Sequence, residues 1–284
     1  MGRFIKRSWV AGSPAACCLL LVTLASLTVP VTAYRQGIQI ETSPQVIKET
    51  ILQGEARSLK VKVTNKGSVP VEVVPEVVDL SIDEQGYNVE MPQDAGYAWG
   101  LKEFVKVFPE RFTLKPGETR IAEVTVNAPG PLSGGRYGIL YFAASDPSAR
   151  DRIVMVVRCG SLLFITVPGT ETYSGRVRDL KFTPRLEDSG SPGALEVVFE
   201  NTGNVHMSAA GSMKISDGRK TLVNMALKGG TGTILPGGAR LYRAELREDM
   251  PCGEYKVTAT FVFEGKTITA EKTLRVNNRQ ASSE

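Results

Sequence analysis

Thr113-Leu114-Lys115-Pro116-Gly117-Glu118 leads through a strand-like run, Ile121 to Val126, to Gly134-Gly135-Arg136-Tyr137 and a second run, Gly138 to Ala144. Further along, Thr233-Ile234-Leu235-Pro236-Gly237-Gly238 leads through Leu241 to Leu246 to Cys252-Gly253-Glu254-Tyr255 and its own run. Pro116 and Pro236 lie 120 residues apart, Tyr137 and Tyr255 lie 118 apart. Such near-constant spacing of turn, strand, Gly-x-Tyr and strand marks a duplicated unit. The earlier halves correspond as well. Lys60 to Thr64 ends in Asn65-Lys66-Gly67, and Glu196 to Glu200 ends in Asn201-Thr202-Gly203. From that Asn to the Tyr takes 72 residues in the first copy and 54 in the second, so the first carries 18 extra, placed within 79–111.

Period-2 alternation fills both copies. Leu59, Val61 and Val63 alternate with Lys60, Lys62 and Thr64, while Tyr255, Val257, Ala259, Phe261 and Phe263 alternate with Lys256, Thr258, Thr260 and Val262. Residues two apart share one face of a strand, so each run buries one side and wets most of the other. Many short strands punctuated by Asn-x-Gly and Pro-Gly turns predict an all-β chain of two tandem immunoglobulin-like β-sandwich domains. The first is placed at 35–168 with its insertion at 79–111 and the second at 174–278, with a polar tail at 279–284. Tyr137 and Tyr255 stand where a sandwich tyrosine buries its ring and returns its hydroxyl to backbone at the corner.

Residues 1–33 have the parts of a secretory leader: basic Arg3, Lys6 and Arg7, an apolar run from Ala15 to Leu27, and Val31-Thr32-Ala33 before a cleavage point. The apolar run is shorter than the roughly 20 residues of a membrane span, so removal is expected, with an uncleaved anchor as the alternative. Cys17 and Cys18 sit inside this apolar stretch, away from its end where a lipid-bearing cysteine belongs. Of the 34 basic residues, three leave with the leader, and 31 then face 30 acidic ones. The apparent basicity belongs to the leader, and no basic stripe for nucleic acid remains on a folded domain. No later stretch is long and apolar enough to span a bilayer, so the expected location is extracytoplasmic: secreted, cell-surface or periplasmic. Cys159 and Cys252 then remain. An oxidising compartment permits a bridge between them, but they belong to different proposed domains, and two free thiols are the alternative.

Catalytic chemistry finds no constellation. His206 is the single histidine and follows an Asn-x-Gly turn, which suggests a turn-flanking surface residue. No Gly-x-Ser-x-Gly elbow accompanies it. Asp79-Leu80-Ser81-Ile82-Asp83-Glu84-Gln85-Gly86 lacks the alternating oxygen ligands of a calcium loop and suggests a solvated hairpin turn. Gly229-Gly230-Thr231-Gly232 has neither the lysine nor the helix of a phosphate loop. No catalytic, cofactor-binding or metal residue is therefore assigned, and the chain is expected not to be an enzyme.

Binding has two candidate places. Arg152-Ile153-Val154-Met155-Val156-Val157-Arg158 is apolar on both strand faces. That pattern suits a fully buried strand or an open edge that pairs with a partner strand, in which case Ile153, Met155 and Val157 share one side. The insertion carries Tyr87, Tyr97, Trp99 and Phe104. Such aromatics either anchor an interface or cap the end of the sandwich, and the candidates from this group are Tyr97, Trp99 and Phe104.

Thr42-Ser43-Pro44, the strand into Asn65-Lys66-Gly67, Phe112 to Glu118 and Gly135-Arg136-Tyr137-Gly138 together resemble the first domain of PapD-like periplasmic chaperones and their relatives among bacterial surface proteins. The closing Val167-Pro168-Gly169 resembles the peptidoglycan-binding, WxL-interacting type among these. The resemblance implies an exported binding protein with a protein or wall-polymer partner. It also implies, for a pilus chaperone, a basic pair on the first and last strands of the first domain. The matching stretches here read Ser43-Pro44-Gln45 and Ser161-Leu162-Leu163, so that anchor is not carried onto Lys48 or Arg158 nearby. The function expected is a non-catalytic adaptor or adhesion-type protein binding another envelope protein or a wall polymer such as peptidoglycan. The alternatives are a chaperone that donates a strand to an exported subunit, and a spacer or accessory module of a wall-degrading complex.

Overall fold

The computed structural model describes residues 37–128, 130, 132–148, 155–183, 193–229, 232–246 and 253–276. The expected leader, the polar tail, Ile153 and Cys252 lie outside them. Among the described residues the regular structure is β-strand apart from one 3-10 turn, Lys102–Phe104.

The first half contains β1 (Ile40–Ser43), β2 (Val46–Thr50), β3 (Ala56–Asn65), β4 (Val71–Ile82), β5 (Asn88–Glu90), β6 (Val105–Phe108), β7 (Phe112–Leu114), β8 (Thr119–Asn127), β9 (Gly134–Ser145) and β10 (Val156–Val167). One sheet runs β1-β3-β8-β6 and the other β2-β10-β9-β4-β5, with β7 also on β4. Their facing sides supply Val61 and Val63 from β3, Val124 from β8, Leu140 and Phe142 from β9 and Leu163 from β10, all fully buried. These are the alternate positions read from the sequence. Burying each such side chain contributes about 1.5–3 kcal/mol, which is what selects one register over a one-residue slip.

The second half contains β11 (Gly175–Thr183), β12 (Gly193–Asn201), β13 (Ala210–Ser216), β14 (Thr221–Ala226), β15 (Ala239–Leu246), β16 (Gly253–Phe263) and β17 (Lys266–Val276). Sheets β11-β12-β15 and β14-β13-β16-β17 enclose a second core that includes Val197, Phe199, Met213, Val257 and Phe261. The chain is thus all-β, with two sandwiches in sequence.

A third apolar cluster joins the two. Val78, Leu80, Tyr137, Ile139 and Phe164, on the outer face of the β10-β9-β4 sheet, meet Leu235 of the second sandwich. Here the structure departs from the corner expected of Tyr137. Its hydroxyl accepts the backbone N–H of His206 at 2.7 Å, across the joint rather than within its own corner. His206 differs too: half-buried against Tyr137 and Phe164, it is part of the joint rather than of the open surface. In the second sandwich Tyr242 returns its hydroxyl to backbone, donating to Ala209 O at 2.7 Å. Burial pushes that phenol up to about 12.

The 79–111 insertion supplies the rest of the joint. Asp83 Oδ1 accepts the N–H groups of Gln85, Gly86 and Tyr87, forming the β4–β5 hairpin turn. From that turn Glu84 O accepts the N–H of Leu241 on β15 at 2.8 Å, and the Glu84 carboxylate pairs with Arg178.

Candidate functional site

The site is an uncovered half-strand, and the path of the chain across the sandwich creates it. β1 pairs with β3 in one sheet, then the chain crosses through Pro44 and Gln45 and continues as β2 in the other. There β2 runs parallel to β10, but only from Leu162↔Val46 to Thr166↔Thr50. β9 covers the opposite side of β10 along its whole length, Val156↔Ser145 to Val167↔Gly134, with no register shift. Among the described residues, therefore, β10 from Val156 to Gly160 has a strand paired to it on one side and none paired on the other.

Hydrogen-bond parity identifies which backbone groups face the gap. Leu162 N–H donates to Gln45 O, Thr166 O accepts from Ile51 N–H, and Gly160 O accepts from Thr42 Oγ1 at 3.2 Å. Even-numbered residues of β10 thus direct their backbone groups toward the β2 side. Successive residues alternate in direction along a strand, so the N–H and C=O of Val156 and of Arg158 point into the open slot. Thr42 and Ser161, whose hydroxyl donates to Pro44 O at 2.7 Å, close the slot where β2 begins.

Side chains leave the slot apolar. Met155 is 66% exposed and Val156 55%. Val157 and Cys159 turn inward onto the first core, with Cys159 a free thiol whose Sγ lies 3.5 Å from Thr42 Oγ1. Arg158 is the one charge on this stretch, and its guanidinium folds away from the edge. It lies 3.9 Å from the ring centre of Tyr141 on β9 and pairs with Glu76 on β4 and Glu90 on β5, both at 3.1 Å. Gly160, opposite Tyr141, makes room for that ring, because a Cβ there would press into it. What Arg158 offers the slot is its aliphatic stem.

The long apolar run that includes β10 therefore has two origins. From Leu162 onward both faces are used: Leu163, Ile165 and Val167 inward, and Leu162 and Phe164 toward the joint. At Met155 and Val156 the same apolar character meets solvent. Within Arg152–Arg158 the described Met155, Val156 and Arg158 are exposed, so that stretch is not a wholly buried strand.

Several other edges carry the protections usual for exposed strands. β15 is covered by Glu84 at Leu241 and by Lys228, which exchanges two backbone bonds with Arg243. β11 is irregular between Val177 and Asp179. β17 carries Lys266 and Lys272, which reach over to Tyr173 O and Leu180 O, both at 2.6 Å. β5 has three residues and β6 four, too short to template a partner. Lys48 stands on the five-residue β2.

The aromatics of the insertion separate by role. Phe104 packs on the first core, and Trp99 joins the cluster at the joint with the Arg136 guanidinium over its ring at 5.6 Å. Tyr97 is half-buried, which raises its phenol above the ordinary value. Tyr87 is exposed. Of the six residues singled out in the sequence, Ile153 lies outside the described residues, Met155 is exposed beside the slot, Val157 turns inward onto the first core, Tyr97 is half-buried, and Trp99 and Phe104 turn to internal packing. Among the described residues no group of three metal-binding side chains occurs, and no helix is long and apolar enough to cross a membrane.

No family model matches the chain, and no curated protein matches it. Solved structures do. A chaperone–tip adhesin complex described as vital for the biogenesis of CFA/I fimbriae is 15% identical, over 82% of this chain and 98% of that one, with a TM-score of 0.45. The E. coli chaperone DraB is 14% identical over 85% and 98%, with a TM-score of 0.40. The Salmonella enterica SafA pilin in complex with the SafB chaperone gives 12%, 84% and 98%, and 0.40. At these identities and TM-scores the likenesses decide neither partner nor activity.

Proposed function

We propose that this protein is a non-catalytic, extracytoplasmic binding protein of the chaperone kind, which holds an extended segment of another exported protein by strand addition along the open half of β10. The observation that carries the proposal is the slot itself. Backbone donors and acceptors on Val156 and Arg158 face it, apolar Met155 and Val156 stand bare beside it, and the charge of Arg158 is drawn off to Glu76 and Glu90. An added strand would satisfy the ladder and bury the apolar side chains in one step. A bare apolar edge is a liability unless it is used.

A photo-crosslinking amino acid placed at Val156, in cells producing the full chain, tests this directly. The expected product is a discrete adduct with a segment of another exported protein, mapped by mass spectrometry to an alternating apolar stretch. Val156→Lys combined with Met155→Glu should abolish the complex without changing the circular dichroism. Adducts to wall polymer would instead favour the adaptor reading, adducts to a second copy would favour self-association, and either outcome, or none at all, overturns strand capture.

A further inference from the structure

We propose that His206 is a proton-operated latch, whose protonation releases the second sandwich from the outer face of the first. The latch is independent of strand capture at β10.

The geometry leaves one hydroxyl serving two groups of the same residue. Tyr137 Oη accepts the His206 backbone N–H at 2.7 Å and lies 3.3 Å from His206 Nδ1. With the oxygen already accepting one bond, its own hydrogen can go to Nδ1, and Nδ1 can take it only while that nitrogen is unprotonated. Protonation there puts a second donor against the same oxygen and strips the phenol hydrogen of its acceptor. The ring cannot move aside easily. It stands edge-on to Tyr137 at 5.7 Å and to Phe164 at 5.3 Å between centres, and both partners are buried.

Among the described residues the surroundings offer the imidazolium no counter-charge. Burial raises the Tyr137 phenol far above its ordinary value, so it keeps its proton and cannot serve as an anion. Phe164 on β10 carries no charge. Lys48 on β2, whose Nζ lies 5.7 Å from the Phe164 ring centre, is the charged group that acts on the imidazole, and it repels a second positive charge. Arg136, beside Tyr137 on β9, is positive as well, and its guanidinium sits over Trp99. Burial first, then Lys48, lowers the His206 value below 6.5. The sign follows. In the window below 6.5 the released histidine binds protons that the latched one excludes, so the latch is at full strength above that pH and weakens as pH falls through the lowered value.

Trp99 reports the state of the joint, since it packs in the cluster that bridges the sandwiches. With Trp9→Phe in the full chain, Trp99 emission should shift to the red and the radius of gyration from small-angle scattering should rise between about pH 7.5 and about pH 5. The circular dichroism should stay that of folded sheet throughout. His206→Asn, which keeps a side-chain acceptor near the phenol but does not titrate, should hold the values of the higher pH over the whole range. Lys48→Gln, an exposed change that removes the repelling charge, lets the latched histidine hold a proton more readily, so the release should move to lower pH and shrink in amplitude. The proposal is overturned if the wild-type signals do not move with pH, if His206→Asn moves in parallel with wild type, or if Lys48→Gln leaves the midpoint where it was.

Discussion

At the residue scale, the duplicated Asn-x-Gly motif has a single physical role that both copies repeat. Asn65 Nδ2 donates to Val69 O and Leu114 O, and its Oδ1 accepts from Gly67 N–H. Asn201 Nδ2 donates to Val205 O and Ile234 O, and its Oδ1 accepts from Gly203 N–H. The backbone repeats too, with Gly117 N–H on Asn65 O and Gly237 N–H on Asn201 O, each at 2.9 Å. One buried amide thus ties the Asn-x-Gly turn to the Pro-Gly turn of the same sandwich. Both glycines are required by close approach, since a Cβ at Gly67 would strike Gly37 O and one at Gly203 would strike Thr172 O. Asn201→Ala takes the amide from Val205 O, while Ile234 O keeps the Met207 N–H and the Gly203 N–H keeps Ser174 O, and is expected to cost about 1–3 kcal/mol, read as a lower urea midpoint. An unchanged midpoint would remove the amide from this role. The two turns were legible in the sequence because Asx and Pro-Gly chemistry is local. The bond between them was not, because it joins residues 49 positions apart in one copy and 33 in the other.

At the element scale, the strands followed from alternation, since burial of every second side chain is a local pattern. Which strands lie side by side did not. The open half of β10 depends on where the chain leaves β1, at Ser43, for β2, at Val46, more than 110 residues earlier. No feature of Arg152 to Arg158 reports that crossing. The same limit hid the cross-strand cluster of Arg158, Tyr141, Glu76 and Glu90, whose members come from four strands. The β4–β5 hairpin was legible as a turn but not as a clasp on β15. Gly86 has φ 98°, and a Cβ there would overlap the Arg240 guanidinium. Gly86→Ala is therefore expected to lower stability by roughly 1–3 kcal/mol and to redden Trp99 emission. Glu84→Ala removes only a solvent-screened ion pair with Arg178 and keeps the backbone bond to Leu241, so it should cost less than about 1 kcal/mol and leave Trp99 unchanged. Equal effects of the two substitutions in a thermal melt would mean that the carboxylate, not the close approach, holds the clasp.

At the scale of the molecule, the joint is what converts two sandwiches into one mechanical unit. Each half has its own core, and a strand register that closes without the other, so either could unfold alone if the joint contributed little. The joint contributes through apolar contact around Phe164 and Leu235 and through hydrogen bonds that cross it, among them His206 N–H to Tyr137 Oη, Gly135 N–H to Asn204 O and Leu241 N–H to Glu84 O. Tyr137→Phe removes one of these bonds and spares the apolar contact, because the ring stays against Phe164 while the N–H of His206 loses its acceptor. A buried donor left without a partner costs about 1–3 kcal/mol, and here that cost falls on the docked arrangement rather than on either core. Wild-type unfolding in urea should accordingly show one transition, with Trp99 emission and circular dichroism sharing a midpoint, as two-state behaviour requires. In Tyr137→Phe, again with Trp9→Phe, the Trp99 transition should come first and the circular dichroism transition later, as the joint opens before the sheets melt. Coincident midpoints in the variant would mean that the apolar cluster and the remaining backbone bonds couple the halves, and that the hydroxyl only fills the space between them.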